Sequence, residues 1–220
     1  EEITRGLLND GTSTGVGATA LAATTAGATG NTAVGYQALY RATTGNSNVA
    51  VGVSAGQGIT TGSTNVALGS SAFGNNSFSS TGGNNIAVGN ASMYSSAAIT
   101  GSDNIGMGRD TFRNLTSGAD NVAIGKNALT TVTTGAQNTA IGFGTLANIV
   151  TGNNNVAIGY GSLTNNTASD NVAVGVTALT GNPSGSTNTA VGRSALAAIT
   201  TTSNNTALGY QAGKVTTGAD

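Results

Sequence analysis

The chain has 220 residues with no cysteine and no histidine, seven basic and eight acidic side chains, and a formal net charge of -1. This composition excludes a disulfide framework and thiolate metal sites, and it lacks the cationic footprint that binds nucleic acid or an anionic membrane. No apolar run is long enough to span a membrane as a helix, and the sequence opens at Glu1 without a basic-then-apolar leader. It reads as an excerpt whose targeting and anchoring segments lie elsewhere.

In chain order, residues 1–12 form a flank without regular pattern. Ile3, Leu7 and Leu8 have a spacing with which a helical stalk could end. A repeat then begins. Gly15-Val16-Gly17-Ala18-Thr19-Ala20-Leu21 aligns with Ala123-Ile124-Gly125-Lys126-Asn127-Ala128-Leu129, with Ser13 where later rungs carry Asn. From Asn31–Gly35 to Asn205–Gly209 the phrase Asn-(Thr/Val/Ile)-Ala-(Val/Ile/Leu)-Gly is written eleven times, with Gly106 and Met107 as its one deviation. Successive Asn residues are 17 apart, except for single spacings of 20, 19 and 16. A fixed period this short predicts a solenoid in which neighbouring rungs bury each other. The expected fold is all-β: a parallel β-roll of about twelve rungs over residues 13–220.

Asn121–Gln137 serves as the type rung, its places numbered from the Asn. Places two to four read as a short strand with β-branched residues at two and four on one face. Place four is apolar in every copy and is expected to fill the core of the rung. Place three is always Ala or Gly and is expected to meet a neighbouring chain at close range. The invariant Gly at place five predicts a positive-φ corner or a close backbone contact. A second apolar pair, Ala128-Leu129 in the type rung, is expected to pack across the rung against place four. Thr-Thr-Gly closes the rung, completing a unit with two short strands. The longer spacings put insertions around Asn75–Thr81 and Tyr94–Ala98, where repeat proteins carry surface loops. So thin a roll has few large side chains, and burial against copies of itself predicts a homotrimer around a fibre axis.

Little in the chain can do catalysis, which needs a held base, nucleophile or metal. Asp103 and Asp120 precede the Asn of consecutive rungs and read as stacked turn residues rather than a cation site. Gly106-Met107-Gly108 and Gly142-Phe143-Gly144 lack the helix that a phosphate loop needs. No enzyme activity, cofactor or metal is expected. The column at place six escapes the repetition and mixes aromatic with basic residues. Tyr36, Arg109, Lys126, Phe143, Tyr160, Arg193 and Tyr210 are therefore the candidate ligand-facing surface.

The Asn-Val-Ala-Ile-Gly phrase followed by x-x-Ala resembles the head repeats of YadA-like trimeric autotransporter adhesins. The likeness covers residues 31–209 and extends weakly over 13–220. Asn31–Leu39, echoed at Asn205–Gly213, also resembles repeats of trimeric tail fibres and related surface fibres. The resemblance implies a trimer of left-handed parallel β-rolls, adhesion or receptor binding, and an extracellular place on a bacterial surface or a phage virion. The chain departs from the autotransporter pattern in its longer rung and regular Thr-Thr-Gly closure, and it shows neither a heptad stalk nor an anchor barrel. The expected partners are two further copies of itself and a cell-surface receptor or glycan, with no nucleic acid and no membrane insertion. Two other classes compete: an ice-binding solenoid built on the Thr columns, and a polysaccharide-degrading β-helix, for which clustered carboxylates and wide rungs are missing.

Overall fold

The computed structural model describes residues 7–9 and 12–213 apart from 26, 75, 76 and 183. Twelve strands of three residues, β2 (Thr14–Val16) through β13 (Thr206–Leu208), stack in sequence order as one parallel sheet. The pairing runs in register from rung to rung: Ala123 stands beside Ala140 and Ile124 beside Ile141. At about 4.8 Å per strand the stack is roughly 55 Å long. The fold is thus a parallel β-solenoid with a period of about 17 residues, as the phrase predicts. Leu7–Asn9, where the spacing allowed the end of a helix, is instead a strand, β1, antiparallel to β2. Residues 1–6 lie outside the described part.

The two faces of the strand are exchanged relative to expectation. Place-three residues such as Ala123, Ala140 and Ala157 are completely buried inside the roll, while Ile124, Ile141 and Ile158 at place four point outward and are over a third exposed. The reason is volume. The second apolar pair fills the interior from across the rung, and it meets place three, not place four. A Cβ on Gly106 would lie 3.0 Å from the Phe112 ring, and one on Gly15 would lie 3.2 Å from Leu21 Cδ1. Only a methyl fits opposite such a side chain, so the branched residues have room only outside. A further interior column closes the rung: Ile59, Ile99, Leu115, Val132 and Ile149 are all buried. Two short strands are expected in each rung, whereas among the described residues each repeat has one; the closing segment is largely turn and bend with ladder bonds such as Thr133 N to Val150 O at 3.0 Å, and an isolated bridge joins Ile59 to Ser80.

The repeated Asn is the polar half of this interior. Asn138 is fully buried. Its Oδ1 accepts from the backbone N–H and the Nδ2 of Asn155, both at 3.0 Å. Its Nδ2 donates to Asn121 Oδ1 at 3.1 Å and to Gly152 O at 2.9 Å. The same N–H to Oδ1 link joins every successive pair from Asn31 to Asn205. Ser13 starts the column, its Oγ accepting from Asn31 N at 3.1 Å. A buried amide is tolerated because each of its polar atoms is paired, and the Asn amide supplies both donor and acceptor at this reach.

Tight turning comes from left-handed backbone. The type rung has positive φ at Gly125 (123°), Asn127 (59°), Leu129 (49°) and Gln137 (59°). Gly125 is the position that only glycine serves: a Cβ there would lie 2.6 Å from the carbonyl oxygen of Gly142 in the next rung. Both readings of the invariant glycine, the positive φ and the close contact, hold. Leu129 adopts a conformation costing about 1 kcal/mol or more for a side-chain-bearing residue. Its complete burial and the bond from its N–H to Thr145 O at 3.1 Å hold it there.

Candidate functional site

The seven candidate residues all stand at place six, just past the Gly corner, and all are exposed. Each place-six carbonyl from Tyr36 to Arg193 holds the next rung: Lys126 O accepts from Gly144 N and Phe143 O from Gly161 N, both at 3.0 Å. The backbone ladder therefore fixes the column, and the side chains are free to vary.

Register brings three of the seven together. The Phe143 and Tyr160 rings stack with centroids 5.4 Å apart and planes inclined by 8°, and Lys126 Nζ sits 5.5 Å from the Phe143 centroid on the preceding rung. Such offset ring pairs and cation–ring contacts are each worth about 0.5–1.5 kcal/mol. Arg109 turns to its neighbour, with Nε 3.7 Å from Asp110 Oδ2, and Asp110 is held at 2.6 Å by Arg113. Arg113 lies 5.7 Å over the Tyr94 ring in the second insertion. Arg193 and Tyr210 occupy neighbouring rungs near the C-terminal end, and Tyr36 stands apart near the other end. The column is thus several small surfaces rather than one.

Beside the stacked pair runs an open groove of about 370 Å³ lined by Asn127, Phe143, Gly144, Ala147, Tyr160, Gly161, Thr164, Thr177 and Thr180. Sequence reasoning found the rings and missed the groove. The signal was present: Gly144 and Gly161, one residue after the two rings. The first insertion is tied down by Arg41, whose guanidinium donates to Phe78 O at 3.1 Å and Ser79 Oγ at 3.4 Å, two rungs away.

Asp103 and Asp120 are exposed turn residues, and among the described residues no group of three or more potential metal ligands is gathered. Several closing-segment threonines, offered above as an ice-ordering ladder, spend their protons on backbone carbonyls of the next rung. Thr116 Oγ1 donates to Thr133 O at 3.0 Å and Thr133 Oγ1 to Val150 O at 3.3 Å. Among the described residues no helix is long and apolar enough to cross a membrane.

Fold and surface together define a β-solenoid with a uniform interior, a continuous apolar outer stripe and a variable corner column. Comparison with protein-family models, with curated proteins and with solved structures finds no match.

Proposed function

We propose that this chain is a non-enzymatic module of a homotrimeric fibre, head or shaft, displayed outside the cell on a bacterial surface or a phage virion, and that it attaches to a surface receptor or glycan. The observation that carries this reading is the outer face of the sheet. Val16, Val34, Val51, Leu68, Met107, Ile124, Ile141, Ile158 and Leu208 are all exposed in one in-register file, and Val88, Val174 and Val191 fill its remaining places half-buried. β-branched residues at place two widen the stripe. An apolar surface running the length of a rod is far larger than a lone soluble chain normally leaves in water. Its unbroken rung-to-rung register suits copies of itself in parallel, and a closed three-fold arrangement hides all three stripes on one axis. The place-six column, one corner away, is left to differ from rung to rung and to face a ligand.

Light scattering on the purified chain tests the assembly. The expected mass is three times the 21.1 kDa of one chain, and Ile124→Asp with Ile141→Asp should lower it to one. A monomeric parent protein overturns the trimer. Attachment is tested by binding the trimer to cells. Arg109→Ala with Tyr160→Ala should weaken binding at unchanged mass, and full binding would remove the column from the reading.

A further inference from the structure

We propose that the groove beside Phe143 and Tyr160 binds a pyranose ring of an uncharged saccharide. This rests on the attachment reading and names the chemistry of one contact within it.

The glycines carry the argument. Place seven is left-handed in the rungs described around it, with φ of 56° at Gln37, 59° at Asn127, 53° at Thr177 and 54° at Gln211. Gly144 and Gly161 have φ of 63° and 61° at the same place, so column-mates with side chains adopt this conformation. Crowding does not require glycine either. A Cβ on Gly144 would meet nothing within 4 Å, and one on Gly161 only Thr164 Oγ1 at 3.5 Å and Thr177 Cγ2 at 3.7 Å. These glycines follow Phe143 and Tyr160, and no other two successive rungs carry aromatic residues at place six. The side chain is missing where its absence opens the flank of the ring pair to solvent.

The lining defines the ligand. Phe143 lies between Lys126 and Tyr160, so the pair presents ring edges and the more exposed Tyr160 ring, an apolar aromatic surface that favours a flat C–H face. The threonine hydroxyls already donate to backbone carbonyls: Thr164 Oγ1 to Gly161 O at 2.8 Å, Thr180 Oγ1 to Thr177 O at 2.7 Å, and Thr177 Oγ1, which also pairs with Ser194 Oγ at 3.0 Å, to Val176 O at 2.8 Å. What they offer outward is lone pairs, which accept from hydroxyl donors. The lining residues carry no charge, and the neighbouring cation, Lys126, sits over the Phe143 ring and is not part of the lining, so the groove itself offers no counter-charge to a carboxylate or an ammonium ion. A pyranose has both required features, a C–H face and a rim of O–H donors. The groove lies within the ordinary range of small-ligand sites, about 300–1,000 Å³.

The test is saturation-transfer NMR on the full chain with neutral gluco-, manno- and galacto-oligosaccharides, and oligogalacturonate as an acidic probe. At least one neutral probe should receive saturation, with a Kd in about the millimolar range expected of a shallow site. Gly144→Gln and Gly161→Gln place in the groove a side chain that Gln37 and Gln211 already carry at this φ. Each should weaken binding by at least about tenfold, with unchanged mass and circular dichroism, and Tyr36→Ala should change nothing. The proposal is overturned if no neutral probe binds, if only oligogalacturonate binds, or if the glutamine variants bind as well as the parent. It is equally overturned if those variants lose the trimer, which would make the groove an inter-chain seam. A parent that adheres to cells but binds no neutral oligosaccharide sinks this proposal alone. A monomer sinks the trimer alone, since the titration can be done on one chain.

Discussion

Ala140 and Ile141 are consecutive residues of one three-residue strand, yet they live under different rules. Ala140 is inside, walled by the residues of its own and adjacent rungs, and its column holds only Ala or Gly. Ile141 is outside, and its column accepts Val, Ile, Leu or Met. The interior demands small volume and complete hydrogen bonding; the exterior stripe demands only apolar character. Restraint in the sequence therefore marks contact distance, not hydrophobicity.

Three pairs of substitutions, each matching an interior place with a nearby exterior one, can break this contrast. The largest effect belongs to the corner. Gly125→Ala puts a methyl against the Gly142 backbone and forces a residue with a Cβ into φ near 123°. A loss of about 4–6 kcal/mol is expected in urea unfolding, while Lys126→Ala should stay within about 0.5 kcal/mol. Equal losses would mean that the rungs separate easily and that the close approach is incidental.

Next is the amide column. Asn138→Ala strips partners from Asn155 N, Gly152 O and Asn121 Oδ1. It should cost about 2–4 kcal/mol, against about 0.5 kcal/mol or less for exposed Thr134→Ala. Hydrogen exchange should show the loss concentrated in the adjoining rungs, since solenoid rungs contact only their neighbours. Uniform loosening along the whole rod would contradict a nearest-neighbour ladder.

The smallest effect has the opposite sign. In two rungs Asn166 and Asn182 occupy the closing core place that Val132 and Ile149 hold elsewhere. Asn182 is answered by Gly185 N at 2.6 Å and Thr202 O at 3.1 Å. Asn166 donates to Asn182 O at 3.0 Å, but its buried Oδ1 has no hydrogen-bond partner. Asn166→Leu should therefore raise stability by about 1 kcal/mol, with exposed Asn165→Leu near zero. A destabilised Asn166→Leu would show that the bond to Asn182 O outweighs the unpaired oxygen.

Much of the architecture is legible in the sequence. The period fixed rung number and parallel register, Gly125 announced its corner, and Ser13 marked the start of the amide column. The columns were also visible as columns. What could not be read was direction. An alternating strand says which residues share a face, and apolar residues on one side normally point to the core, so Ile141 was placed inside and Ala140 outside. The rule fails because the core is one side chain thick. Once Leu129 and Leu146 enter from across the rung, no room remains for a second branched residue. Asn gave no warning of burial either, since its usual home is an exposed turn. Leu129 in a left-handed conformation has no local signal, because neighbouring rungs, not its own propensity, hold it.

The site divides in the same way. Phe143, Tyr160 and Lys126 were identifiable as variable residues after an invariant glycine. Their stacking at 5.4 Å, the groove, and the separate pairing of Arg109 with Asp110 depend on what adjacent rungs place alongside. By itself the sequence determined the repeat, the strand and the corner, because a 17-residue period puts equivalent residues of successive rungs side by side. Only the tertiary structure decided which face is inside and which side chains meet. Those outcomes depend on the volume between the two sides of a rung and on the distance between rungs, and neither is a property of any single residue.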